Sequence, residues 1–446
     1  MRVLLFHGYM LRGTGSNIYN ANLARALARL GHEVHLLCQD RQVELEGVQI
    51  HNPDIGGLLP VYVKDPYEGF EVKAFPELTE AELDRYVDAN VAAVREVAAS
   101  AGGIDAALAN HLVMGPAILA RANIGPFAAK VHGSALEYTV KPHPRFLPYA
   151  EEGMRAASGV LVGSRHTAES LWAALPDVPG LREKTRLGPP GVDTEAFRPG
   201  PRDGSPLVVF VGKLIVSKGV DLLLAAWPLV VAENPDARLQ VAGFGEYEQG
   251  LRRLLAALDR GDLDDAREVA RLGRGLEGGE EKALPILSAF LESPPPGYAE
   301  MARGVASSVE LIGRLEHDEV AELLPGAEAL VMPSTFPEAF GMVAAEAAAC
   351  GALPVSAGHS GMLEVSRQLA AALPTEVGRL TSFPVEEGAV EAIAERLSAW
   401  LALPGEARAA AREALVRTTG ELWSWEGVAR GASAASAAQL DRLSSP

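Results

Sequence analysis

Each half of this 446-residue chain opens on a short apolar run without polar alternation, Val-Leu-Leu-Phe within Arg2–His7 and Leu-Val-Val-Phe-Val within Pro206–Gly212. A strand that is apolar on both faces must be covered on both, which is the condition of a parallel sheet flanked by helices. After the first run come a turn over Gly8–Ser16, a helical stretch over 17–30 with Ile18, Leu23, Leu27 and Leu30 at helical spacing, a capping Gly31 and a second strand, Glu33–Cys38. This strand, helix and strand unit carries a glycine-bearing turn at the carboxyl end of its first strand, where open α/β sheets take ligands. The length favours two or three domains. The polar Pro/Gly stretch Gly200–Ser205 is the best linker. The expected division is 1–199, a linker at 200–205, a second α/β domain over 206–420 and a helical segment over 421–446, with a return to the N-terminal domain as one option.

The most informative chemistry lies in Val331–Val365, Val-Met-Pro-Ser-Thr-Phe-Pro-Glu-Ala-Phe-Gly-Met-Val-Ala-Ala-Glu and onward. It reads as a strand, a loop with Pro333 and Pro337, a helix of strong helix formers to Cys350, and a new strand after Gly351. Glu338 and Glu346 stand eight positions apart (346 − 338), one in the loop and one inside the helix. Two glutamates near an Ala-rich helix are more often a solvated face than a site. Here, however, Glu346 is flanked by Ala344, Ala345, Ala347, Ala348 and Ala349, so its charge needs a partner. The N–H groups of Gly341, Met342 and Val343 at the first helical turn would suit an anion such as a diphosphate, and a carboxylate can accept from both hydroxyls of a sugar diol. Lys213 and Lys218, five apart (218 − 213), flank a loop entering a helix after the second apolar run and are placed to neutralise the same diphosphate.

The pattern Pro-Glu-Ala-Phe-Gly-Met-Val-x-x-Glu-Ala-x-Ala-Cys-Gly-x-x-Pro-Val resembles the Glu-x7-Glu signature of the large family-4-type (group 1) retaining glycosyltransferases. The resemblance implies a GT-B fold, two Rossmann-like doubly wound domains facing a cleft, and transfer of a hexose from a nucleoside-diphosphate sugar, a UDP-sugar first of all, with retention of configuration. On this resemblance Glu338, Phe340, Gly341, Met342, Val343 and Glu346 hold the donor. Lys213 and Lys218 match Gly-Arg-Leu-x-x-x-Lys-Gly, with Lys213 where the family has Arg, which keeps the charge without the planar fork. Gly212, Gly243 in Arg238–Gly245, and Arg314 in Ser307–Glu316 are implied beside the nucleotide. Gly13 and Gly15 lie in a loop that the family sets against the diphosphate and acceptor; they are not a dinucleotide fingerprint, since the third glycine and a ribose-binding acid are missing. Two predicted strands end in His111 and in His132-Gly133-Ser134, at the ligand edge of the sheet. His132 matches the family's sugar-side histidine and is preferred over His111. Its implied role, with Glu338, is to hold the sugar in a front-face reaction in which the leaving phosphate takes the acceptor proton. Leu187–Asp193 resembles the family's Pro-x-Gly-Val-Asp turn, with Pro190 in place of the usual Asn.

Other classes are weakened by composition. A net charge of −18 argues against a general nucleic-acid binder. Two cysteines, Cys38 and Cys350, indicate no disulfide framework and suit a reducing, cytoplasmic compartment, with a peripheral membrane position left open. The donor is a co-substrate, so no cofactor and no metal are expected. Asp262, Asp264 and Asp265 read as a helix start, not as a metal motif. A carboxylate-pair glycosidase would leave the lysines and helix amides idle. A catalytically inactive nucleotide-sugar-binding regulator is the alternative from another class. The acceptor (sugar, small molecule or lipid-linked glycan) is not named by any residue. Between Gln42 and Leu78 the pattern loosens into what reads as a long functional loop. Residues 247–301 depart from the family as a helical insertion whose apolar face must meet the body of the second domain, a partner copy or the cleft rim, of which a partner copy or the rim is the preferred expectation.

Overall fold

The computed structural model describes residues 1–13, 15–62, 67–202 and 204–446. Thr14 of the first glycine turn, residues 63–66 of the expected loop and Asp203 of the expected linker lie outside the described residues. The chain divides into two compact units, Met1–Gly191 with Trp423–Pro446, and Val192–Leu422.

In the first unit, strands β1 (Arg2–Phe6), β2 (Glu33–Leu37), β3 (Val48–His51), β6 (Ala106–Asn110), β7 (Phe127–Val131), β8 (Gly159–Val162) and β9 (Thr185–Leu187) form one sheet in the order β3-β2-β1-β6-β7-β8-β9. Every pairing in it is parallel. β4 (Leu58–Val61) and β5 (Glu71–Ala74) make a separate two-stranded sheet, so the stretch read as one long loop holds short strands whose few residues gave no usable period. One face of the main sheet packs on the helix Glu80–Ser100, opened by a Thr79–Glu82 capping box, and on Gly115–Ala122 and Leu147–Ala156. The other face is covered by Gly15–Arg29 and by Trp425–Ser436, a helix from the far end of the chain. Close approach explains two glycines there: a Cβ at Gly159 would lie 2.7 Å from the Ala435 carbonyl oxygen, and one at Gly191 2.6 Å from the Trp425 ring. Ser436 Oγ donates to the Ala107 carbonyl at 2.8 Å, tying the last helix to β6.

The second unit has a six-stranded sheet of β10 (Leu207–Val211), β11 (Arg238–Ala242), β12 (Val309–Gly313), β13 (Ala329–Met332), β14 (Leu353–Ala357) and β15 (Ser382–Phe383), in the order β12-β11-β10-β13-β14-β15 and again parallel. Arg202, from the stretch read as a linker, belongs to this unit and donates to the carbonyls of Ala327 and Cys350 at 2.8 and 2.6 Å. The region 247–301 contains helices Glu248–Arg260, Leu263–Leu272, Pro285–Glu292 and Tyr298–Ala302. Its apolar face is not left for a partner or a rim. Leu251, Leu254, Leu258, Val269, Leu287 and Leu291 are each 0% exposed, and Tyr298 Oη donates to the Ala225 carbonyl of helix Val220–Glu233 at 2.6 Å. The expected surface is spent on the unit's own core, because helices this short bury too little against one another to stand apart.

Candidate functional site

Both sheets change winding direction beside their first strand, β1 next to β6 in one and β10 next to β13 in the other. At such a switch point the loops leaving the two strands diverge to opposite faces and open a crevice at the carboxyl edge. Each unit gathers its chemistry at that place.

In the second unit the loop after β10 meets the loop after β13. Lys218 Nζ donates to Glu338 Oε1, Thr335 N donates to the Ser217 carbonyl at 2.9 Å, and Ser334 Oγ donates to Glu338 Oε1 at 2.9 Å. Gly219 makes the approach possible: its φ is +66°, and a Cβ there would lie 2.0 Å from the Pro333 oxygen. Sequence reading assigned Lys218 to a diphosphate and Glu338 to a sugar as separate groups; the fold makes them partners. Glu338 is held from behind as well, its N–H donating to Ser360 Oγ at 3.0 Å and its carbonyl accepting from Gly361 N at 3.0 Å. His359 Nε2 donates to the Ser334 carbonyl at 2.9 Å. Past the loop, Gly341 (φ +108°) caps the eight-residue helix Met342–Ala349, whose first-turn N–H groups have no acceptor within the helix. Phe340, just before it, is 7% exposed.

Glu346, 4% exposed, accepts from His317 Nε2 at 2.9 Å. Burial alone would pull the His317 imidazole down. The hydrogen bond and charge of Glu346, with Asp193 and Asp318 behind, outweigh that and leave it above its ordinary value. The partner that the sequence demanded for the buried carboxylate is therefore, within the chain, a histidine that sequence reading missed. Its signal was its place three residues beyond Arg314, where a strand's carboxyl end turns into a helix. Lys213 and Arg314 lie over the Phe244 ring, at 5.8 and 4.9 Å from its centroid, and so occupy one neighbourhood. Gly212 and Gly243 bring their loops together, since a Cβ on Gly243 would lie 1.9 Å from the Gly212 oxygen.

The acids of the 262–265 stretch serve the helix start. Asp262 accepts from Asp265 N at 3.1 Å, Asp264 pairs with Arg267 at 2.7 Å, and Asp265 pairs with Arg253 and Arg260 at 2.7 and 3.2 Å.

The first unit holds Gly13, Gly15 and His132. Gly13 takes φ +91°, and Gly15 begins the helix Gly15–Arg29. At the β1–β6–β7 edge runs a chain of neutral hydrogen bonds. His7 Nε2 donates to Asn17 Oδ1 at 2.9 Å, and Asn20 Nδ2 donates to His7 Nδ1 at 3.0 Å. Asn110 Nδ2 donates to Asn20 Oδ1, and His132 Nε2 donates to Asn110 Oδ1 at 2.9 Å. His111 lies among His7, Tyr62 and His132, with ring centroids 5.7, 4.6 and 4.9 Å away, and neither of its buried nitrogens has a hydrogen-bond partner among the described residues. Burial lowers all three imidazoles, His7 to about 4 and the other two well below the ordinary value. It also lowers the ammonium of Lys130 to about 7, beside the Gly188 carbonyl that it donates to. Burial thus favours the neutral imidazole of His132, which can accept a hydrogen bond through its other nitrogen. His7, Asn17, Asn20 and Asn110 were not singled out in the sequence, because asparagines within a helix and at a strand end carry no spacing signal.

Among the described residues no helix is long and apolar enough to cross a membrane.

Residues 13–196 match the family model described as Glycosyltransferase Family 4, and residues 192–262 and 300–416 match Glycosyl transferases group 1, leaving 263–299 unmatched. A GDP-mannose-dependent monoacylated alpha-(1-6)-phosphatidylinositol monomannoside mannosyltransferase of Corynebacterium glutamicum is 29% identical over 53% of this chain and 52% of its own length. A D-inositol 3-phosphate glycosyltransferase of Geodermatophilus obscurus is 27% identical over 78% of this chain and 71% of its own. Among solved structures, sucrose-phosphate synthase from Thermosynechococcus elongatus superposes with a TM-score of 0.65 at 20% identity, over 99% of this chain and 98% of that one. Anabaena HepE in complex with UDP-glucose superposes with a TM-score of 0.62 at 15% identity, over 99% of this chain and 100% of that one. These structural likenesses speak to the fold, which is GT-B. The two family matches together span nearly the whole chain: it belongs to the group 1, family-4 type of glycosyltransferases.

Proposed function

We propose that the protein moves a hexose from a nucleoside-diphosphate sugar to an acceptor hydroxyl with retention of anomeric configuration and without a metal ion or cofactor. The observation that carries this reading is the contact of Lys218 with Glu338 beside the open helix start at Gly341. An incoming diphosphate would take Lys218, Lys213 and the amides of Met342 and Val343, and would release the Glu338 carboxylate to sugar hydroxyls. Glu346, held by His317, suits a ribose diol, with Arg314 and Phe244 on the base side. Cations and amides aimed at the leaving diphosphate stabilise the charge that develops there. The bond from C1 to the phosphate oxygen breaks, the acceptor oxygen joins C1 on the same face, and its proton passes to the leaving phosphate. His132, neutral, holds a sugar or acceptor hydroxyl.

Uridine is the first base to test. The names of the relatives add GDP-mannose as donor and inositol phosphates or phosphatidylinositol mannosides as acceptors. Incubation with a panel of UDP-, GDP- and ADP-hexoses in EDTA, with and without cell extract, and mass spectrometry of the released nucleotide tests the reading. Release of one nucleoside diphosphate, increased by extract, is the expected result. Release only after Mn²⁺ is restored would remove the metal-free mechanism. Tight donor binding with no release under any condition would favour the inactive regulator.

A further inference from the structure

The unmatched segment 263–299 is not a remote decoration of the second unit. Its 3₁₀ turn Arg274–Glu277 ends in a carboxylate whose Oε2 accepts from Val216 N at 2.8 Å. Val216 is the first residue of the three-residue turn Val216–Lys218, which delivers Lys218 to Glu338. The turn is thus held at two adjacent residues, by Thr335 on the Ser217 carbonyl from the β13 side and by Glu277 on the Val216 amide from the inserted side.

The insertion is built to place this carboxylate. Gly250, on helix Glu248–Arg260, leaves room for the Tyr247 ring and then for Leu276, since a Cβ there would lie 2.5 Å from the ring and 3.2 Å from the Leu276 Cβ. Arg274 N donates to the Lys282 carbonyl at 3.1 Å, and Gly273 takes φ +46° with the same carbonyl oxygen 2.1 Å from where its Cβ would be. Arg253 locks the next helix through Asp265 at 2.7 Å. Beneath the loop, the Oδ1 of Asp221 and the hydroxyl of Tyr247 are buried without hydrogen-bond partners among the described residues. The loop is tied on this side by Leu214 N donating to the Phe244 carbonyl at 2.8 Å and Tyr247 N donating to the Leu214 carbonyl at 3.0 Å, and the unmatched segment adds the side-chain contact in which Glu277 accepts from Val216 N.

We propose that Glu277 is a positioning residue for Lys218, so that the inserted segment sets the geometry of the phosphate-facing loop. This deepens the proposed function and rests on its assignment of Lys218 to the diphosphate. The inserted segment, where the family match stops, thereby tunes donor affinity without touching the donor.

The test is a double-mutant cycle on purified full-length protein, read by calorimetric titration with the nucleoside diphosphate released in the panel above and by donor kinetics. Glu277→Ala should weaken binding and lower kcat/KM by about tenfold, the equivalent of about 1.4 kcal/mol. Glu277→Gln keeps an acceptor oxygen and should return within about twofold of wild type. In a Lys218→Ala background, Glu277→Ala should cost nothing further, because contacts acting in series are not additive. Full additivity, or an unchanged Glu277→Ala beside an impaired Lys218→Ala, would overturn the inference alone. An unimpaired Lys218→Ala would instead overturn the reading on which it rests. If Glu277→Ala does not fold, Glu277→Asp, one methylene short of Val216, should show the loss that Glu277→Gln does not, and equal behaviour of the two would count against positioning.

Discussion

The carboxyl edges of the two sheets arise from the same topology and hold opposite chemistry. At the first, His7, Asn17, Asn20, Asn110 and His132 form a buried chain of neutral bonds with His111 enclosed among them. At the second, Lys218 pairs with Glu338 and His317 Nε2 donates to Glu346, and the Lys218 and His317 side chains keep 27% and 29% exposure. A neutral network in a dry environment is rigid and costly to break. The Lys218–Glu338 pair keeps about a quarter of each side chain open to water (27% and 24%) and can exchange partners at small cost, whereas Glu346 is buried behind His317. One edge is suited to orienting hydroxyls, the other to receiving an anion.

The largest expected effect follows from the exchangeable edge. Lys218→Ala should slow transfer on the order of a hundredfold, the size of losing one group that stabilises developing charge, while the melting temperature stays within about a degree or two of wild type. Steady-state kinetics beside a thermal melt read both. A large fall in stability with unchanged kinetics would show the ion pair to be structural, and the contrast with the first edge would collapse.

The rigid edge should respond in the other way. Asn110→Ala removes the link between Asn20 and His132 and leaves buried polar atoms without partners, at about 2 kcal/mol of stability. Denaturant titration measures it, and free-nucleotide binding should be untouched.

Acid separates the edges by sign. The imidazoles of His7, His111 and His132 have folded values below the unfolded one of about 6.5, so the unfolded chain binds more protons and stability falls as the pH drops from about 6.5 to about 4. His317 is raised, so its contribution is fully present below about 6.5 and is lost as the pH climbs through its folded value. Melting curves from pH 5 to 8 should show His111→Asn flattening the acid limb, since it does not titrate and tolerates the left-handed backbone at this position (φ 68°). His317→Asn should destabilise most at the acid end. The same slope change for both variants would contradict the assignment.

The smallest effect is at Lys213. Arginine there should leave turnover within about twofold or raise it, because the charge over Phe244 is kept and a bidentate grip is added.

What could be read from the sequence was what repeats or is local. The unalternated runs at Val3–Phe6 and Leu207–Val211 announced parallel sheets, and Glu338 and Glu346 placed themselves on a loop and a helix, whereas Gly341, read within the first helical turn, is the residue that caps the helix. Illegible were the contacts that depend on strand order. Lys218 and Glu338 are 120 positions apart and meet because β10 lies beside β13. His317 reaches Glu346 across 29 positions in the same way. The insertion was visible as amphipathic helices, but its expected partner surface was not, since amphipathicity says that a face is buried and not against what. Glu277 was not singled out in the sequence, and only the fold sets it on Val216.

The central claim, that the ionic edge of the second unit receives a nucleoside diphosphate while the neutral edge of the first does not, is tested most directly by calorimetric titration of UDP, and of GDP in parallel, in EDTA, onto wild type, Lys218→Ala and His132→Ala. The account expects binding by wild type, a loss of about tenfold in Lys218→Ala, the equivalent of about 1.4 kcal/mol, and an affinity within about twofold of wild type in His132→Ala. Unimpaired binding by Lys218→Ala together with a loss in His132→Ala would contradict it.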